Sequence, residues 1–103
     1  MERAEFISFI CGVRKCKEST GRVNFFNLRR VRKMLGQGDL IPKNAKWLPE
    51  NTKWSEELQQ VQGRNLFSSI VAYLRALDAP EHLIKTYSKR MKEFSVGVDK
   101  IYL

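Results

Sequence analysis

At 103 residues, with 43% hydrophobic and 29% charged side chains, the chain is sized for one folded domain around a single modest core, which excludes both a disordered chain and a two-domain one. The formal net charge of +8 is unevenly placed: Arg14, Lys15, Lys17, Arg22, Arg29, Arg30, Arg32 and Lys33 stand against the single acid Glu18, and the other 83 residues sum to only +1. Such one-sided charge suits a polyanion, nucleic acid first, then an acidic protein surface or anionic lipid; a solvated face serving solubility is the plain alternative.

Ala4 to about Lys15 is predicted as a first helix, because Phe6, Phe9, Ile10 and Val13 fall on one side with Ile7 nearby. A strand over Phe6 to Val13 is the alternative, but the apolar positions do not alternate. Cys11 and Cys16 make no disulfide framework: within one helix their spacing puts them on different faces, and no Cys-x-x-Cys pair offers a zinc site. Both are expected to be reduced, with Cys11 half-buried. The opening MERAEFISFICGV lacks the form of a secretory signal, so the expected setting is intracellular or inside a viral particle.

Lys17 to Val23 reads as a polar connection containing Ser19, Thr20 and Gly21. Asn24 is a candidate N-cap for a second helix from Phe25 to Leu35 that stops at Gly36. Phe25, Leu28, Val31 and Leu35 form its inward stripe; Arg29, Arg30 and Lys33 project opposite, with Arg32 at the margin. Phe26 falls among those cations. Its ring can stack on an unpaired base, or it can be covered by the preceding loop or the first helix.

Gly36 to Lys53 has no periodicity and is broken by Gly38, Pro42, Pro49 and Asn51. Leu40, Ile41, Trp47 and Leu48 predict that this long loop is pinned by packing. Trp47 and Trp54, close to lysines, are also candidates for contact with nucleic acid or a protein partner, although anchoring the loop to the core is the plainer expectation.

Ser55 is the next candidate N-cap, followed by Glu56 and Glu57 in a first turn. One helix is expected from about Glu56 to Leu77, with an irregularity possible at Gly63. Its stretch NLFSSIVAYLRAL, Asn65 to Leu77, is the most apolar in the chain. Leu66, Phe67, Ile70, Tyr73, Leu74 and Leu77 crowd one side, which marks a central core helix too short to span a bilayer. In Asp78-Ala79-Pro80-Glu81, Asp78 can cap a last helix while Glu81 reaches back, which predicts a tight helical hairpin. That helix is expected to run to about Ser95, with Ile84, Tyr87, Met91 and Phe94 inward, and to end at Gly97. An extended tail should follow, its Ile101, Tyr102 and Leu103 free to dock on the core or on a neighbouring subunit.

The expected architecture is therefore all-α: a small single-domain bundle of about four helices over residues 1–103, with one long central loop and an extended C-terminal tail. No triad, phosphate loop or metal-ligand cluster is complete, and His82 stands alone, so neither enzymatic activity nor a cofactor is expected.

The pattern GRNLFSSIVAYLRALDAPEHLIKTYSKRM, within Val61 to Phe94, resembles the helical pair in the core-binding domains of tyrosine recombinases, especially those of large DNA viruses and their hosts. It covers about a third of the chain. The resemblance implies a helical DNA-associated module. The family's catalytic domain, with its arginines, histidine and tyrosine nucleophile, has no counterpart, and neither Tyr87 nor Tyr102 matches that tyrosine.

The leading functional expectation is a non-enzymatic module that binds DNA or RNA through backbone phosphates, using Arg14, Lys15, Lys17, Arg22, Phe26, Arg29, Arg30, Arg32 and Lys33. The alternative is an assembly subunit of a viral particle, ribonucleoprotein or mitochondrial complex. It would use Trp47, Trp54, Ile101, Tyr102 and Leu103 for protein contacts, as a homo- or hetero-oligomer.

Overall fold

In the computed structural model, which describes the backbone of residues 1–101 and the side chains of residues 1–95, four helices follow in order: α1 (Arg3–Arg14), α2 (Glu18–Met34), α3 (Gln60–Ala76) and α4 (Glu81–Ile101). Among the described residues there is no strand, and no helix is long and apolar enough to cross a membrane. The all-α architecture is as expected. α3 lies at the centre because it is apolar on more than one face: Leu66, Phe67, Ile70, Val71, Tyr73 and Leu74 are all buried. It packs most extensively on α4, then on α2 and α1, while α1 and α2 pair as a hairpin of their own.

Phe6 and Ile10 of α1 and Phe25, Leu28 and Val31 of α2 enter the core as their spacing predicts. Val13 departs from the expected stripe: in the last turn of α1, it is 52% exposed. α2 begins at Glu18 rather than after Asn24, so the expected polar connection Lys17 to Val23 is mostly helix. Gly21, expected within that connection, is buried at the crossing with α1, where a Cβ would lie 2.8 Å from Cys11 Sγ and 3.2 Å from Ile7 Cγ2. Asn24 caps nothing. Its side-chain oxygen accepts from the buried Ser69 hydroxyl at 2.8 Å, which in turn accepts from Asn27 Nδ2 at 2.9 Å, and this polar cluster ties α2 to α3. The helix ends as expected at Gly36, whose φ of +72° is the left-handed conformation open to glycine.

The long loop is pinned by a repeated device. Trp47 Nε1 donates to the Tyr73 hydroxyl at 3.2 Å, and Trp54 Nε1 donates to the Tyr87 hydroxyl at the same distance. The tyrosines in turn meet loop carbonyls, Tyr73 those of Pro42 and Asn44, Tyr87 that of Pro49. Burial pushes both phenols up to about 12. Ile41 and Leu48 are buried beneath the loop, whereas Leu40, expected to help pin it, is 58% exposed.

Ser55 sits in a 3-10 turn, Lys53–Ser55, and not at the head of α3, which starts at Gln60. Its hydroxyl donates to the Thr52 carbonyl at 2.6 Å and accepts from Arg90 Nε at 3.0 Å, a long-range use that takes the place of capping. α3 runs unbroken through Gly63. The hairpin to α4 forms as expected, but by another route: Asp78 takes a left-handed φ of +55° to close α3, and the Pro80 carbonyl accepts the first amides of α4. Around Phe67 the rings of Trp54, Tyr87 and Phe94 lie within 5.3–5.4 Å and form the α3–α4 seam.

The extended tail is corrected through Ile101, because α4 continues past Gly97. One interior glycine weakens a helix by about 1 kcal/mol, too little to end it when no proline follows. Tyr102 and Leu103 lie outside the described residues.

Candidate nucleic-acid interface

α2 carries opposite duties on its two sides. Phe25, Leu28, Val31 and Arg32 turn to the core, while Arg22, Phe26, Arg29 and Lys33 recur at steps of four, three and four along the opposite side, with Arg30 beside them. All five of the latter are exposed; Phe26 is 43% accessible, so the preceding loop and α1 leave it uncovered. Its ring stands edge-on to Phe25 at 5.5 Å, which fixes its orientation from below. Arg14, Lys15 and Lys17 are exposed at the corner between α1 and α2. From Lys17 to Lys33 the cations extend about 24 Å at 1.5 Å per residue, the rise of about seven nucleotides along one strand of a duplex.

The neutralising contacts along this row are weak. Arg22 pairs with Glu18 at 3.4 Å and Arg29 with Asp39 at 3.9 Å, both at exposed positions where such pairs contribute about 0–1 kcal/mol. The charge stays available to an incoming anion.

Arg32 is the exception, and its placement corrects the expectation that it joins the site. It is 7% exposed, its Nε donates to the Gly38 carbonyl at 2.7 Å, and its guanidinium lies 4.8 Å above the Trp47 ring. Arg32 therefore clamps the start of the loop. Trp47 and Trp54 are partly buried and each donates its indole N–H to a tyrosine hydroxyl, so both hold the loop on the core. Ile101 belongs to α4, its side chain beyond those described, and Tyr102 and Leu103 fall outside the described residues.

One contributor was missed from sequence. Arg3 lines a groove between α1 and α2 together with Ile7, Cys11 and Arg22, and borders a second groove with Phe26, Arg29 and Leu40. Positions 3 and 29 stand at roughly equal distances from Lys15, whose left-handed φ of 56° folds the helices back on each other. That pairing was the available signal, and it appears only once Glu18 to Val23 is recognised as helix.

His82 is exposed and meets Glu50 at 2.9 Å on the loop. Among the described residues no group of three or more His, Cys, Asp or Glu side chains is placed to hold a metal ion. No family model, curated protein or solved structure matches the chain.

Proposed function

We propose that the protein is a small basic helical module that binds nucleic acid without catalysis, chiefly through backbone phosphates. The observation that carries this reading is the exposed row Arg22, Phe26, Arg29, Arg30 and Lys33 on the side of α2 opposite the core. Cations spaced along one helix face track a row of phosphates, and an aromatic ring among them offers a platform for an unpaired base. The resemblance of residues 61–94 to a DNA-associated helical pair points the same way. It contributes the scaffold rather than the contact surface.

The test is titration of labelled duplex and single strands at about 50 and 200 mM salt. If all seven exposed cations between Arg14 and Lys33 contact phosphates, log affinity for duplex falls against log salt with a slope of about −6; with the four on α2 alone the slope is about −4. Joint Arg29→Glu and Arg30→Glu replacement should abolish binding while Lys85→Glu on α4 leaves it intact. Phe26→Ala should weaken single-strand binding more than duplex binding. No detectable binding at the lower salt overturns the proposal.

An assembly role keeps one specific support, since Val23 and Met34, exposed by 58% and 42%, lie near Phe26 and Arg30 on α2. Under that reading the same face meets an acidic protein with an apolar centre. Sedimentation of the purified chain would then show association at low salt without any nucleic acid.

A further inference from the structure

We propose that Cys11 and Cys16 form a reversible intramolecular disulfide across the α1–α2 corner, with small-molecule disulfides as the oxidants. The five-residue spacing separates the two thiols only if both lie on one helix, and they do not. α1 ends at Arg14, Lys15 takes its left-handed turn, and Cys16 is carried back over the last turn of α1 before α2 begins at Glu18. Its sulfur lies 3.1 Å from that of Cys11, and both residues are free thiols. Closing a bond of about 2.05 Å takes a movement of only about 1 Å.

The surroundings hold Cys11 in place and still admit a reagent. Its thiol donates to the Lys17 carbonyl at 3.3 Å, and Gly21 leaves room for the sulfur between the helices. On the other side Cys11 lines the open groove with Arg3, Ile7 and Arg22. Cys16 is half-buried, also within reach of solvent. Burial, reinforced by the Cys16 thiol beside it, raises the Cys11 thiol above the ordinary cysteine range.

With a small-molecule disulfide the chemistry is two exchanges. One cysteine, as thiolate, attacks a sulfur of the reagent and expels the first thiolate, leaving a mixed disulfide on the protein. The second cysteine thiolate attacks the protein-side sulfur, closes the Cys11–Cys16 bond and expels the second. Two electrons and two protons pass from the cysteines to the reagent, which leaves as two thiols. The crosslink staples the corner that bears Arg14, Lys15 and Lys17, and the proposal stands whether or not those cations bind nucleic acid.

The experiment is equilibration of the full chain with oxidised and reduced glutathione, followed by acid quenching, intact mass and tryptic mapping. Oxidation should lower the mass by about 2 Da, the loss of two hydrogens. It should also link peptide Ala4–Arg14 to Cys16–Lys17, which trypsin otherwise releases separately. The disulfide should form at least about tenfold more favourably in the folded chain than in the chain unfolded by guanidinium, as expected for thiols held together in the fold. Cys16→Ser should remove the crosslink and leave Cys11 able to form only a mixed disulfide. Covalent dimers, separate mixed disulfides on the two cysteines of the wild-type chain, or equal closure in folded and unfolded chains would each overturn the proposal.

Discussion

Gly63→Ala and Gly12→Ala make the same chemical change in two helices, and the structure requires opposite outcomes. At Gly63 a Cβ would run into Cε1, Cζ and Cδ1 of Phe94, well inside the separation of about 3.5–4.0 Å at which carbon atoms ordinarily pack. The ring must retreat by about 1 Å, yet it is 5% exposed, packed on Phe67 at 5.4 Å and covered by the Arg90 guanidinium at 4.1 Å. Overpacking of this kind costs about 1–3 kcal/mol, against about 1 kcal/mol gained in helix propensity. With three ring atoms met at once the upper half of that range applies, so a net loss of about 1–2 kcal/mol is expected for Gly63→Ala. Around Gly12 there is nothing within 4 Å, so the propensity gain stands alone and stability should rise by about 0.5–1 kcal/mol. Urea unfolding followed by tryptophan fluorescence and far-ultraviolet circular dichroism reads both, and each kcal/mol moves Tm by about 4–8 °C in a domain of this size. Adding Phe94→Leu to Gly63→Ala should show favourable coupling, because the smaller side chain yields the space. A Gly63→Ala protein as stable as wild type, or a Gly12→Ala protein less stable, would refute the packing argument.

Other substitutions probe the loop and the clamp. Tyr73→Phe strands the Trp47 N–H and the carbonyls of Pro42 and Asn44, and Tyr87→Phe does the same to Trp54 and Pro49; each should lose about 1–3 kcal/mol and alter tryptophan emission. Arg32→Lys removes the flat face above Trp47 and the bond to Gly38, with an expected loss of about 1–2 kcal/mol in the same urea assay, whereas Lys33→Ala should stay within about 0.5 kcal/mol. Tyr73 and Tyr87 titrate near 12 in the fold but near 10 once unfolded, so the folded state favours their neutral form. Their contribution is fully present below about pH 10 and is lost as pH rises towards 12, which a tyrosinate absorbance titration of native protein checks; ionisation of both near 10 would contradict it.

Patterns of burial were easier to read than boundaries. The stripes Phe6/Ile10, Phe25/Leu28/Val31 and Leu66/Ile70/Leu74 announce their helices because each depends on the spacing of its own residues. Gly21, Asn24, Ser55 and Asp78 misled because short polar and glycine residues carry two meanings. Locally they favour caps and breaks; here distant neighbours claim three of them, Cys11 for Gly21, Ser69 for Asn24 and Arg90 for Ser55. The same ambiguity governs the candidate site. The outward row on α2 was legible from periodicity, which also set Arg32 at the margin, but only the returning loop with Trp47 and Gly38 recruits that residue to the interior. Arg3 was invisible for the complementary reason: it joins the row through the crossing of two helices.

The aromatic seam between α3 and α4 also makes the molecule its own reporter. Trp54 lies 5.3 Å from Phe67 and is hydrogen-bonded to Tyr87 on α4, whereas Trp47 lies 6.0 Å from Tyr73 beneath Arg32 of α2. The two indoles thus watch different parts of the protein, one the helical hairpin, the other the place where the loop leaves the helix that bears the cations. Replacing either by phenylalanine would leave a single-colour probe of the other region, able to tell a ligand that merely rests on the outer surface from one that loosens the strap beneath it.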